Sequence, residues 1–188
     1  MKKYSDEEPP IGFRIAFDLK NPIAEEFISN KTIQLRDAYC LRYEQDNLPI
    51  IQQKIKNQIL QGHTEGQPVR IVADRIKNEL LGLVDMTIEQ AIMIASTELM
   101  GALSYSSYVS INNSGFMKKQ WFTAMDEKVR PLHEELHGKT INIGDLWVFS
   151  DGNTLRYPGD DHGPDHLVVG CRCVEVVVPE THRLLLSI

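Results

Sequence analysis

The sequence lacks a long apolar run. No stretch approaches the roughly 20 apolar residues that a helix needs to cross a bilayer. The N-terminal residues from Met1 to Glu8 also lack the apolar centre of a signal peptide. These two absences argue against a membrane or secreted protein, so we expect synthesis and folding in the cytoplasm.

Cysteine is scarce, with Cys40, Cys171 and Cys173 as the three examples in 188 residues. Three cysteines do not make a disulfide framework in a chain of this length. In an extended segment, the Cα atoms of Cys171 and Cys173 would lie about 6.6–7 Å apart, at the upper edge of disulfide geometry. We therefore expect both thiols to be reduced, metal-free and buried.

Positive charge is also in short supply, since the net charge is −6 and the pI is about 5.5. Such a chain is poorly suited to non-specific binding of nucleic acid, which depends on neutralising phosphates. A local group of cations at Lys118, Lys119, Lys128 and Arg130 is interpreted as a solvated strand edge. Direct binding of nucleic acid is therefore not expected.

Several catalytic motifs are missing. The sequence has no glycine-rich phosphate loop, no H-E-x-x-H and no G-x-S-x-G. The apolar content of 42% and charged content of 24% are typical of soluble globular proteins. The length suits one ordinary domain, or two small ones that share a core.

Helical signals fill the first half of the chain. Asn21-Pro22 is typical of a helix start, and apolar residues recur at helical spacing from Leu48 towards a predicted cap at Gly62. A further helix is predicted between Pro68 and Gly82. Thr87 and Gln90 form a capping-box pattern for a long helix that runs to about Val109.

The helical period stops beyond Gly115. Strands are predicted at 121–123 and 171–178, a helical turn at 132–136, and a hairpin from 147–149 and 154–157. The sequence thus predicts an α+β fold, with a helical N-terminal half followed by a small, mostly antiparallel β module. Its predicted division is a leader at 1–21, a helical region at 22–115 and the β module at 116–188.

Four motifs follow one another in the second half. IASTE occupies 94–98, WFTAMDEKVRPLHEELHG occupies 121–138, YPGD occupies 157–160 and CRC occupies 171–173. Together they resemble the head morphogenesis family of tailed bacteriophages, the Mu protein F-like minor head proteins. That family carries I-A-R-T-E, W-x-T-x-x-D-x-x-V-R-x-x-H-x-x-L-x-G, Y-P-G-D and N-C-R-C. The chain departs from the pattern at Ser96 and Gly170, where the family usually has Arg and Asn.

The resemblance covers roughly Leu48 to Val178 and implies a non-enzymatic minor capsid protein of the virion head. Its implied partners are the phage portal protein and the inner capsid surface, with ejection alongside the DNA as a further implication. The motif positions expected to have structural roles are Glu98, Trp121, Asp126, Arg130, His133, Gly138, Tyr157, Asp160, Cys171 and Cys173.

Glu98 is expected to be buried, because its helical neighbours are small or apolar. A buried carboxylate needs a cation, and Arg130 or His133 of the β module is the predicted partner. Asp126 is expected to cap the helical turn that carries these two residues. No serine, cysteine or second carboxylate stands at a spacing that names a reaction.

Three chemical alternatives remain. His133, Cys171 and Cys173 are candidate zinc ligands, although Cys-x-Cys alone is a weak signal. A metal-dependent hydrolase or toxin-like enzyme using Asp126, His133 and Asp160 is the alternative function. Ser96-Thr97-Glu98 also resembles a fragment of an ADP-ribosyltransferase site. Such enzymes place Ser-Thr-Ser on a strand and Glu-x-Glu elsewhere, whereas the tripeptide here lies in a predicted helix.

Overall fold

The computed structural model describes residues 21–179. Its main elements, in chain order, are α1 (Pro22–Asn30), α2 (Leu48–Glu65), α3 (Val69–Glu79), α4 (Ile88–Asn112), β1 (Lys118–Phe122), α5 (Pro131–Glu134), β2 (Thr140–Asn142), β3 (Trp147–Val148), β4 (Thr154–Leu155), α6 (Asp165–Val168) and β5 (Val174–Val178). The predicted α+β class is confirmed. The predicted leader lies almost wholly outside the described residues.

The helix starts follow the predicted chemistry. The side chain of Asn21 accepts a hydrogen bond of 2.9 Å from the backbone N–H of Ile23, and Pro22 opens α1. Thr87 and Gln90 form a complete capping box at the start of α4. Both starts are therefore encoded by residues within three positions of one another in the chain.

The predicted end of α2 at Gly62 is wrong by one turn, since the helix continues to Glu65 and ends at Gly66 with φ of +66°. Gly62 has a packing role instead. A Cβ atom built on it would lie 2.3 Å from Cγ2 of Val72. The absence of a side chain thus lets α2 and α3 approach closely.

The central element is α4, which contacts α1, α2, α3 and β5. Its buried positions include Ile94, Ala95, Glu98 and Ala102. One continuous cluster of buried apolar residues extends from Ala24 in α1 to Cys173 beside β5. The helical region and the β strands therefore share a core.

The β module has an antiparallel sheet of order β2-β1-β5 and a separate hairpin of β3 and β4. Lys119 pairs with Ile141 on one side and Val177 on the other. The predicted hairpin is confirmed. The predicted strand from Cys171 is wrong in its start, because β5 begins at Val174 and both cysteines precede it.

Within residues 21–179, no helix is both long and apolar enough to span a membrane.

Candidate functional site

Two thiols and one imidazole meet in the interior of the β module. His133 lies in the short helix α5, where Pro131 occupies the first turn, and its side chain is buried. Its Nδ1 atom is 3.3 Å from Sγ of Cys173 and 3.7 Å from Sγ of Cys171. We call His133, Cys171 and Cys173 the thiol-imidazole cluster.

Aromatic rings enclose the imidazole of His133. The ring of Trp121 lies edge-on at 5.7 Å and that of Phe149 is tilted at 5.5 Å. The ring of Trp121 also packs against that of Trp147, with 5.2 Å between the ring centroids. The Nε2 atom of His133 is buried and has no hydrogen-bond partner among the described residues. The rings therefore exclude water from this side of the cluster.

The two thiols perturb each other. The neighbouring Cys173 thiol lowers the pKa of Cys171 by hydrogen bonding, burial opposes this shift, and His133 adds to it. The pKa of Cys173 is raised, first by Cys171 and then by burial. One proton thus leaves the pair more easily than the second.

The loop that carries the cysteines is held by α4 and by Arg130. The backbone N–H of Gly170 donates a hydrogen bond of 2.9 Å to the hydroxyl oxygen of Thr97. The guanidinium of Arg130 donates to the backbone carbonyls of Leu167 and Val169. The sequence alone did not predict this structural role of Thr97. Its position in the IASTE motif was the one signal that could have indicated it.

Glu98 does not pair with Arg130 or His133, so that prediction is wrong. Its partner is Lys31, immediately after α1, at 2.8 Å between Nζ and Oε2. The contact has the distance of an ion pair, although its angles are not those of a hydrogen bond. Arg130 is engaged with backbone carbonyls instead. The salt bridge therefore ties α4 to α1.

Asp126 does not cap α5, whose N-terminus has no side-chain cap. It accepts two hydrogen bonds of 2.6 Å from Arg172, the residue between the cysteines, and one of 3.1 Å from the backbone of Lys128. The hydrogen bonds from Arg172 lower the pKa of Asp126 to about 2. This bidentate pair joins the loop after β1 to the cysteine loop.

The YPGD motif forms a tight turn against α4. Tyr157 is buried and its ring lies 5.0 Å from that of Tyr108 and 5.8 Å from that of Tyr105. Gly159 has φ of +74°, and a Cβ atom on it would lie 3.7 Å from the Cα of Gly101. Two glycines thus allow the turn to approach the helix.

Asp160 closes the same turn. Its carboxylate accepts hydrogen bonds from the backbone N–H of Arg156 at 3.0 Å, from its Nε at 2.8 Å and from the backbone N–H of His162 at 3.2 Å. Burial alone would raise the pKa of Asp160, but these bonds outweigh it and hold the pKa below its ordinary value. The carboxylate is occupied by the turn itself.

Gly138 follows α5 with φ of +74°. Its N–H donates to the carbonyl of Trp121 at 2.9 Å, and its carbonyl accepts from Gln120 at 2.7 Å. A left-handed residue here brings the chain back to β1.

A buried ion pair was missed by the sequence analysis. Lys119, interpreted as part of a solvated edge, is fully buried; its ammonium lies 3.3 Å from Glu175 and donates to the carbonyl of Arg156. The indole N–H of Trp147 donates to Glu175 at 2.9 Å. Lysine is rarely buried, so composition gave no signal for this pair.

The residues of the alternative hydrolase are not assembled. Asp126 is paired with Arg172, His133 with the thiols and Asp160 with Arg156. These three side chains form no candidate metal group among residues 21–179. Asp160, Asp161 and His162 do lie close together. The guanidinium of Arg156 donates a hydrogen bond to Asp160 and contacts the ring of His162.

The chain is similar to parts of two much longer proteins. The chain is 25% identical over 161 residues to the NAD(+)--arginine ADP-ribosyltransferase EFV of Enterococcus faecalis, a match that covers 84% of this chain and 29% of that protein. It is 27% identical over 137 residues to an uncharacterised protein of Haemophilus influenzae, covering 71% of this chain and 26% of the other. The chain thus spans less than a third of the length of either relative. No solved structure matches.

The family described as Phage Mu protein F like protein matches residues 53–176. These residues include all four motifs and every member of the thiol-imidazole cluster. The chain belongs to the Phage Mu protein F like family.

Proposed function

We propose that this chain is a minor head protein of a tailed bacteriophage that acts by contacts with other proteins and catalyses no reaction. Membership of the Phage Mu protein F like family indicates head morphogenesis, and this match is the observation that carries the proposal. The proposed place is the virion head, at the inner capsid surface near the portal, with release alongside the DNA during ejection.

The bonding of the motif residues supports a structural role. Glu98, Asp126 and Asp160 each have a cationic partner, in Lys31, Arg172 and Arg156 respectively. A carboxylate held by its own neighbours is poorly placed to act on a substrate as a general acid or base. The four motifs therefore serve to join loops and helices.

The charge of the chain supports a protein partner over DNA. With a net charge of −6, the protein lacks the cation excess that phosphate neutralisation requires. Exposed apolar side chains offer contact surface instead. On the helical half these are Ile50, Ile71 and Leu81, and Leu81 is 71% exposed.

The test is co-expression with the portal protein of the same phage. A complex that survives size-exclusion chromatography is expected. Leu81→Ser should weaken the complex, whereas Val148→Ser, a control at an exposed apolar residue of the β module, should leave it unchanged. A chain that elutes alone beside the portal contradicts the proposed partner.

The name of the Enterococcus relative gives a second candidate function, ADP-ribosyl transfer to arginine. In this chain Ser96, Thr97 and Glu98 lie in the middle of α4, and Glu98 is buried against Lys31. We therefore expect no transfer of label from NAD to an arginine acceptor. Transfer that disappears in Glu98→Gln would replace the head-protein proposal. Hydrolase activity that vanishes in His133→Ala would replace the head-protein proposal by the metal-dependent enzyme.

A further inference from the structure

We propose that His133, Cys171 and Cys173 bind one zinc ion. This site goes beyond the proposed function and requires no enzymatic activity. It reverses the expectation, based on the weak Cys-x-Cys signal, that the thiols are metal-free. The fold supplies what the spacing in sequence lacked, because α5 brings an imidazole nitrogen to both sulfurs.

The distances suit a tetrahedral ion. With Zn–S of about 2.3 Å and Zn–N of about 2.0–2.1 Å, tetrahedral angles separate nitrogen from sulfur by about 3.5–3.6 Å. The observed separations from Nδ1 of His133 are 3.3 Å and 3.7 Å. All three donor atoms lie within 4.8 Å of one another. Only small adjustments would place them around one ion.

Hydrogen bonding alone explains this arrangement less well. A neutral imidazole has one donor and one acceptor nitrogen, so Nδ1 can make one well-directed bond to a sulfur. Here two sulfurs converge on the same nitrogen. An ion between the three atoms would satisfy all of them at once.

The donor types favour zinc. Thiolate and imidazole together select zinc over magnesium or calcium, which prefer oxygen. Two thiolates also cancel the two charges of the ion, so the buried site would be neutral overall. The cluster borders a small cavity of about 20 Å³, room for about one water molecule. A water there would complete the four ligands of a tetrahedral ion.

The first test is metal analysis of tag-free protein purified without added metal. We expect one zinc per chain by elemental and native mass spectrometry, and loss of the metal in Cys171→Ser and Cys173→Ser. Cys40→Ser is the matched control, because Cys40 is exposed and lies outside the cluster, and it should retain zinc. Iron or copper in place of zinc would overturn the assignment.

The second test does not depend on the folding of variants. Reduced wild-type chain stripped with a chelator should bind one equivalent of cobalt(II), giving sulfur-to-cobalt charge-transfer absorption and the intense visible bands of a tetrahedral site. One equivalent of zinc should then remove these bands. Protein that takes up neither metal, or binds cobalt without charge-transfer absorption, would show that the thiols are not ligands.

Discussion

Glu98 is a carboxylate buried in the middle of α4, and Lys31 is its cation. Replacing Glu98 by Ala leaves the ammonium of Lys31 without its partner. Breaking a fully buried pair costs about 3–5 kcal/mol, but Lys31 is 11% exposed and can turn towards water. We expect Glu98→Ala to lower the free energy of unfolding by about 2–3 kcal/mol in urea titrations.

A double-mutant cycle identifies the partner. Glu98→Ala and Lys31→Ala should be strongly non-additive, because each removes the same contact. Glu98→Ala and Arg130→Ala should be additive, since Arg130 is bonded to backbone carbonyls. Additive effects for Glu98 and Lys31, together with non-additive effects for Glu98 and Arg130, would mean that Glu98 pairs with Arg130 as the sequence predicted.

Asp160 gives the protein a stabilising contribution that depends on pH. Burial alone would raise the pKa of its carboxyl, but the hydrogen bonds from Arg156 outweigh burial and hold the pKa below the ordinary 3.8. A depressed pKa in the folded state stabilises the protein above pH 3.8, and this contribution is lost as the pH falls through the folded-state pKa. Asp160→Asn should therefore destabilise by about 2 kcal/mol at neutral pH and by less in acid.

The measurement compares urea unfolding of wild type and Asp160→Asn at about pH 6.5 and about pH 3. Asp37→Asn, a change at an exposed aspartate, is the control and should show no such pH-dependent difference. A difference between wild type and Asp160→Asn that stays constant or grows in acid would exclude this role for Asp160.

Residue identities were easier to predict than residue partners. The burial of Glu98 followed from its helical neighbours, which lie within one turn of it. Its partner, Lys31, is remote in sequence and is placed by the packing of α1 on α4. The same holds for Lys119 and Glu175, whose pairing depends on the register of β1 and β5. Contacts of this kind require the tertiary structure.

At the scale of elements, local chemistry predicted starts better than ends. The capping box at Thr87 and the Asn21-Pro22 start depend on neighbouring residues and were correct. The end of α2 was misplaced because Gly62 serves the contact with α3 rather than a cap. The first residues of β5 were misplaced because its partner β1 ends at Phe122, which pairs with Val174, so Cys171 and Cys173 lie beyond the ladder.

Gly62 therefore offers a test of helix packing. Gly62→Ala places a methyl group against Val72, at 2.3 Å from Cγ2 before any relaxation. Overpacking of this kind costs about 1–3 kcal/mol, and here it should exceed the gain in helix propensity from alanine. Gly62→Ala should lower the midpoint of urea unfolding. The same change made in a Val72→Ala background should lower the midpoint by less, so that part of the loss is recovered. No recovery would mean that the two helices do not meet at these residues.

At the scale of the molecule, contacts cross the predicted boundary at 116. Arg36 donates to the carbonyls of Asp161 and Gly163 and to the carboxylate of Asp165, at 2.9, 3.2 and 2.7 Å. The buried apolar cluster also includes residues from both sides. The division of the chain stays a prediction, but we expect its parts to depend on each other for stability.

Two spectroscopic probes can measure that dependence. Both tryptophans, Trp121 and Trp147, lie in the β module, so fluorescence reports on its unfolding. Far-UV circular dichroism reports mainly on the helical half, where α1 to α4 lie. Because the two parts share a core, the two urea curves should coincide, with equal midpoints and slopes. Separate midpoints would instead show that the helical region and the β module unfold as independent units, with the boundary at 116 as a true domain boundary.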